Sequence, residues 1–230
     1  MAYNASTHTH LSAGETVANE RTLDDVVRDC WRRLQQGARD PASPFRYPVV
    51  ATHGIAQAGA AIPAARVVVL RDVDPLYREL TFHTDQRSMK AAEIDAVPRV
   101  TLVFHDAAAR VQLRVVAHAV IHADDAIADD AWAASGPSSR HIYRAKRGPG
   151  ATIDAPFAWD ESAGDERPRD ESAGDEDSPD DTNGDAGREH FAVIRCKALS
   201  LDWLELCTPT HRRAVFQAAG DRFLGRWVVP

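Results

Sequence analysis

Cysteine is scarce in this chain. Cys30, Cys196 and Cys207 are widely spaced and odd in number, so the sequence carries neither a disulfide framework nor a C-x-x-C metal or redox pair. Buried free thiols in a reducing cytoplasm are expected. No apolar run is long enough to span a bilayer, and no basic-then-apolar leader opens the sequence, so a cytoplasmic protein without membrane partners is expected. H-E-x-x-H, Walker and G-x-S-x-G motifs are missing, and no nucleophile and base pair is visible. His118 and His122 lie four apart on one strand face without further ligands, so no metal site is expected. Basic residues are dispersed, without a basic run interleaved with aromatics, which argues against nucleic acid as a partner.

Acidic charge, by contrast, is concentrated. The formal net charge is −7, yet residues 160–189 alone hold thirteen Asp or Glu against three Arg, which leaves the rest of the chain slightly basic. Within that stretch Asp-Glu-Ser-Ala-Gly-Asp-Glu occurs at 160–166 and again at 170–176. Almost no large apolar group is present there to offset ordering entropy, so 160–189 is expected to be a disordered acidic insertion. Asp181 to Asp185 has part of a calcium-loop spacing but lacks the full pattern. Residues 1–20 are polar and small and are expected to be a disordered tail. The remainder, 21–159 with 190–230, is read as one domain, and its 44% hydrophobic content suffices for a core.

Leu23, Val26, Val27, Cys30, Trp31 and Leu34 recur at helical spacing behind Thr22, which predicts a helix over 22–39 stopped by Gly37 and Pro41. Strands are predicted at 45–54, 64–71, 80–84, 99–104 and 111–121, with a loop at 73–76. A helix is predicted at 123–134, one or two strands over 191–206, a turn or short helix at 211–213 and a closing strand at 223–229. Many short strands with turn residues between them point to a closed or sandwich β architecture with flanking helices.

One stretch carries the functional signal. Arg66-Val67-Val68-Val69-Leu70-Arg71 is followed by Phe82-His83-Thr84-Asp85-Gln86-Arg87-Ser88-Met89-Lys90. Thr84, Asp85 and Ser88 suit a helix start near Ser88 to Ala96, where free N–H groups and a partial positive charge gather. Arg87 and Lys90 at that start make an anion site, most plausibly for a phosphate. Alone, two such cations are ordinary surface groups, and their order among strands carries the argument.

That order resembles the pyridoxamine 5'-phosphate oxidase family of FMN-binding split barrels. The matching pieces are R-x-V-x-L at Arg66 to Leu70, F-x-T-D-x-R-S-x-K at Phe82 to Lys90, P-R-V-x-L-x-F at Pro98 to Phe104, and Gln112-Leu113-Arg114-Val115. Trp203, His211 with Arg213, Trp227 and the final proline add to them. The resemblance covers roughly 20–150 and 190–230. The Thr-Asp-x-Arg-Ser form, with Trp132, Arg140 and Tyr143 before Gly148-Pro149-Gly150, is closer to a bacterial or cyanobacterial oxidase-like branch.

The resemblance implies a homodimer with FMN at the subunit interface. Arg66, Arg87, Ser88 and Lys90 would hold the phosphate and ribityl chain, with Thr84 adding a hydroxyl and His83 backbone contacts. Val67, Val68 and Val69 would line the ring, and Gln112 would supply an amide. Trp203 and Arg213 would reach the flavin of the neighbouring subunit. A small phosphorylated substrate would meet Arg71, Arg140, Tyr143 and His211. The implied reaction is oxidation of pyridoxamine 5'-phosphate in vitamin B6 metabolism, amine to aldehyde, with hydride passing to FMN and oxygen reoxidising it; no catalytic side chain is named. Arg71 stands for the usual lysine, Pro209 for an arginine and Met89 for another branch's flavin-binding arginine, so flavin binding is better supported than that reaction. Other readings are another flavin oxidoreductase, a flavin carrier or sensor without turnover, and a barrel for another cofactor. The phosphate-binding set argues against haem but not against a deazaflavin.

Overall fold

The computed structural model describes residues 21–54, 62–154 and 185–230. The tail 1–20 and most of the acidic repeat lie outside the described residues. The last part of the expected insertion lies within them, however. Asp185 to Gly187 form a turn and Arg188–His190 a 3-10 turn, with Arg188 paired to Asp129 at 2.7 Å. Gly187 has φ +91°, and a Cβ there would lie 2.7 Å from the Tyr143 backbone, so glycine is needed to seat this turn. Packing therefore fixes 185–189, against the expectation of disorder up to 189.

Helix α1 (Leu23–Arg39) starts at a capping box: the Thr22 hydroxyl accepts from the Asp25 N–H at 3.2 Å, and Asp25 Oδ2 accepts from the Thr22 N–H at 3.0 Å. It buries Val26, Cys30, Leu34 and Gly37 against the sheet. Asp29 on its flank accepts from Arg21 and Arg33, at 2.7 and 2.9 Å, and its carboxyl is held below the usual range by these arginine bonds despite burial.

The strands are β1 (Val49–Gly54), β2 (Ile62–Val67), β3 (Leu70–Asp74), β4 (Glu79–Asp85), β5 (Arg99–Asp106), β6 (Val111–His122), β7 (Phe191–Glu205), β8 (Arg212–Ala219) and β9 (Arg222–Val228). All described pairings are antiparallel, in the order β2-β1-β5-β6-β7-β4-β3, with β8 and β9 continuing from β7. The fifteen-residue β7 joins both parts. Phe191 to Lys197 pairs with β4, Ser200 to Glu205 pairs with β8, and β6 lies along its other side.

The predicted strand 64–71 is two strands. β2 and β3 are opposite ends of the sheet order, and Val68-Val69 carries the chain from one to the other. Across this step the Val68 N–H donates to the Pro48 carbonyl and the Leu70 N–H to that of Arg46. Three smaller corrections concern boundaries. β1 starts at Val49 because 45–48 form a turn. The predicted loop at 73–76 is partly strand, since β3 runs to Asp74. His211 precedes β8, which takes in Arg212 and Arg213 as strand rather than turn or helix.

Alternation places Leu102, Phe104, Leu113, Val115, Leu201, Trp203 and Phe216 in one core with α1's face. Helix α3 (Ala126–Ala133) packs on β7 through a smaller cluster of Trp132, Tyr143, Phe191 and Val193, and helix α4 (Pro137–His141) follows it without a buried residue. Cys30 and Cys196 are buried thiols whose pKa burial pushes up, that of Cys30 to about 12. Cys207 is only half-buried. No described helix is long and apolar enough to cross a membrane.

Candidate functional site

Strand β4 turns at Gln86-Arg87 into helix α2 (Met89–Ala96), with Ser88 as its N-cap residue. The Ser88 side chain makes no cap bond. Its Oγ lies 3.1 Å from Thr84 Oγ1, and Lys90 Nζ donates to Thr84 Oγ1 at 2.7 Å and to Ser88 Oγ at 3.3 Å. Three of the sequence-predicted phosphate residues thus meet at one helix start. Burial first, and the Arg66 charge second, hold the Lys90 ammonium below its ordinary pKa, with Asp85 and Glu93 acting in the other direction.

Arg66 arrives from β2 on the same side. Its Nη2 donates to Glu93 Oε2 at 2.8 Å and its Nη1 to the Thr52 hydroxyl, while Thr52 Oγ1 donates to the same Glu93 oxygen at 2.5 Å. Glu93 is only 4% exposed and Thr52 5%, whereas the Arg66 side chain keeps 26%. The two cations Arg66 and Lys90 therefore share one nearby buried carboxylate. Their mutual repulsion is what an anion would relieve, so a phosphate fits this donor set.

Arg87 does not join them. It grips Asp85 with two nitrogens and donates through Nη1 to the carbonyls of Ala145 and Lys146 at 2.9 and 3.3 Å. Its work is to dock the 145–148 segment onto the β4–α2 turn. The short Asp85–Arg87 spacing, closed by the Arg87 N–H donating to Asp85 Oδ1 at 2.8 Å, is the local signal that this arginine is committed.

The three valines separate. Val67 is 61% exposed, Val68 is buried and Val69 is intermediate, because the crossing from β2 to β3 breaks simple alternation. On the outer face of the sheet, Val67 pairs with Val49, Val49 with Val103 and Val103 with Arg114. One step along the same face Gln112 pairs with Leu204, and Leu204 with Arg213. Arg213 donates to both oxygens of Asp202, at 2.9 and 2.8 Å, and Arg114 pairs with the same carboxylate. These bonds, Arg213's first, hold the Asp202 carboxyl below its ordinary range.

Trp203 departs from expectation. It is fully buried, packed edge-on against Trp227 at 6.4 Å and beneath the Arg21 guanidinium at 5.2 Å. Strand parity sends Asp202 and Leu204 outward and Trp203 into the core. Leu204, not Trp203, lies beside Gln112 and Arg213.

The expected substrate residues fall in two places, with His211 apart from Arg71, Arg140 and Tyr143. Arg71 and His83 line a cleft of about 500 Å³ between β3, β4, β7 and the α3–α4 region, together with Arg195, Asp130 and Ser139. His83 stacks edge-on against Phe191 at 4.9 Å, and burial first, then Arg71, lower its pKa to about 4. The imidazole is therefore neutral near pH 7. Arg140 caps α3 through the Trp132 and Ala133 carbonyls at 3.0 and 2.9 Å and lies over the Trp132 ring. Tyr143 is buried against Trp132 and Phe191, its hydroxyl pKa pushed by burial to about 12. His211 lines a different cleft, of about 460 Å³, with Arg21, Arg212, Arg213, Trp227 and Val228. Within the single chain His211 stands apart from the other three, while Arg71 acts on the Tyr143 hydroxyl and Arg140 and Tyr143 both pack on Trp132.

Sequence reasoning missed Thr52 and Glu93. The signal available was an acid one helical turn beyond Lys90, next to the apolar Ile94.

Residues 28–123 match the family described as pyridoxamine 5'-phosphate oxidase, FMN-binding domain. That span includes Arg66, Thr84, Arg87, Ser88, Lys90 and Gln112 and stops before Trp203 and Arg213. A pyridoxamine 5'-phosphate oxidase-related, FMN-binding protein from Nostoc punctiforme PCC 73102 is similar in structure. Its TM-score is 0.64 at 18% identity, over 88% of this chain and 97% of that one. PhzG from Burkholderia lata 383, in complex with tetrahydrophenazine-1-carboxylic acid, is similar with a TM-score of 0.62 at 15% identity, over 89% of this chain and 91% of that one. No curated protein matches the sequence. Residues 28–123 thus carry the sequence signature of the pyridoxamine 5'-phosphate oxidase FMN-binding domain, and the chain as described has the mainly antiparallel β fold of proteins related to that oxidase.

Proposed function

We propose that the protein binds FMN as a homodimer and acts as a flavin-dependent oxidoreductase on a small anionic substrate. The observation that carries the reading is the cluster at the start of α2, where Lys90 meets the Thr84 and Ser88 hydroxyls and Arg66, held on the buried Glu93 carboxylate, lies close enough to act on the Lys90 charge. Lys90 and Arg66 supply charge to the phosphate, and Thr84 and Ser88 supply hydroxyl donors. FMN, when bound, supplies the two-electron chemistry, and the protein binds and orients it. The outer sheet face, with exposed Val67, half-buried Gln112 and Leu204, and Arg213 held by Asp202, supports a second subunit there, completing the ring site.

Arg71 and neutral His83 in their shared cleft support an acid-bearing substrate. Oxidation of pyridoxamine 5'-phosphate, amine to aldehyde, is the specific reaction that the family match suggests. Against it stand Arg140, committed to α3, and Tyr143, committed to the core. The reading favoured is therefore flavin chemistry on another substrate. A flavin-binding protein without turnover is the second reading.

The test is an absorption spectrum of the FMN-loaded protein, mixed without oxygen with pyridoxamine 5'-phosphate. A flavin band that persists, and that an alternative amine or reduced heteroaromatic acid bleaches, is expected. Rapid bleaching by pyridoxamine 5'-phosphate would instead establish the family's named reaction.

A further inference from the structure

We infer that Glu93 and Thr52 are positioning residues for the cofactor phosphate: together they fix the Arg66 guanidinium in the orientation that faces the Lys90 cluster. The inference rests on the proposed FMN site and adds two residues to it.

Arg66, Thr52 and Glu93 form a closed ring of hydrogen bonds. Thr52 Oγ1 accepts from Arg66 Nη1 and donates to Glu93 Oε2, and the same oxygen accepts from Arg66 Nη2 at 2.8 Å. The ring ties three elements together. Val50 faces Arg66 across the β1–β2 pair and Thr52 lies two residues on, while Glu93 comes from α2. The same helix start presents Ser88 and Lys90. One short helix therefore supplies both the phosphate ligands and the brace for the opposing cation.

Stability alone does not explain this ring. A buried ion pair is commonly replaced by apolar groups at no loss, because desolvation offsets much of its attraction. What it provides here is a guanidinium whose long, rotamer-rich side chain is immobilised before the ligand arrives. Glu93 also opposes the Arg66 charge that disfavours a protonated Lys90.

Two consequences of removing Glu93 have opposite sign, and this makes the inference testable. Loss of a negative charge by itself favours an anion, whereas release of Arg66 disfavours it. The second effect should prevail, because a phosphate bonds the guanidinium directly and needs it aligned within hydrogen-bond range, where charge-assisted bonds are strong. Glu93→Gln and Thr52→Val should each weaken FMN binding, roughly tenfold or more, while riboflavin binding, without a phosphate, changes less than about twofold. Thr52→Ser, which keeps the hydroxyl, should bind FMN as the parent does.

The experiment is a fluorescence titration of FMN and riboflavin into apo-protein for these variants and for Arg66→Met, with the apo melting temperature of each. If Arg66→Met loses no FMN affinity, the phosphate reading itself fails. If Arg66→Met loses it while Glu93→Gln and Thr52→Val keep or improve it, the reading stands and the positioning role is overturned. Equal losses for FMN and riboflavin would mark the ring as merely structural and also overturn it.

Discussion

Arg87 and Asp85, two residues apart at the end of β4, form a two-pronged ion pair, with Nε to Oδ1 at 3.0 Å and Nη2 to Oδ2 at 2.6 Å. Asp85 is 7% exposed at its side chain, and the same guanidinium reaches the Ala145 carbonyl at 2.9 Å. The most conspicuous cation of the Thr-Asp-x-Arg-Ser element is thus a clamp between two segments, and Lys90 with Arg66 is left to face an anion.

Arg87→Ala should therefore cost stability, about 1–3 kcal/mol, because it leaves a nearly buried carboxylate unpaired and frees the 145–148 segment. The ratio of FMN to riboflavin affinity should stay close to that of the parent protein. Urea unfolding together with the two titrations separates these effects.

Trp203→Ala should destabilise by about 3–5 kcal/mol, as expected for truncating a fully buried aromatic side chain. Trp203→Phe should cost distinctly less. If Trp203 contacted a flavin across an interface, the phenylalanine variant would change the flavin spectrum; with Trp203 in the core, the spectrum should not move.

His83 sets an acid-side limit. Its pKa falls from 6.5 in the unfolded chain to about 4 in the folded protein, chiefly through burial. A depressed folded pKa means that the unfolded state takes up the proton first. The stability from keeping His83 neutral is complete above about pH 6.5 and is lost progressively as pH falls from there through about 4, roughly 3 kcal/mol in all. Carboxylates such as Asp29 and Asp202, also lowered, titrate below their ordinary 3.8 and so add their loss only at the acid end of this window. Unfolding free energies at pH 7 and pH 5 should differ for the parent and converge for His83→Gln.

The sequence revealed much of this where local chemistry decides. Thr22 and the helical spacing of Leu23 to Leu34 announced α1, and the apolar-rich run from Val111 announced β6. The Thr84, Ser88 and Lys90 cluster was readable because a strand end, an N-cap and a cation fall within seven residues. What escaped was set by register. An unbroken run of β-branched residues at 67–69 bears no mark of the step from one sheet end to the other. Which of Trp203 and Leu204 faces outward depends on the pairing of β7 with β6 and β8, and not on either residue. Glu93 sits one turn beyond Lys90, but its role was not readable because its partners lie on strands 27 and 41 residues away.

Lys90→Met tests the phosphate cluster from the side of the cation. The unbranched side chain keeps the packing of the lysine stem and removes only the charge. FMN affinity should fall roughly ten- to hundredfold, with the apo melting temperature nearly unchanged, since the ammonium is partly desolvated at rest.

The most direct measurement is a paired titration of the parent apo-protein with FMN and with riboflavin, followed by fluorescence quenching. If Arg66, Thr84, Ser88 and Lys90 hold a phosphate, FMN should bind at least about tenfold more tightly than riboflavin, and added sulfate or inorganic phosphate should narrow the gap. Equal affinities, or no binding of FMN at all, would contradict the account.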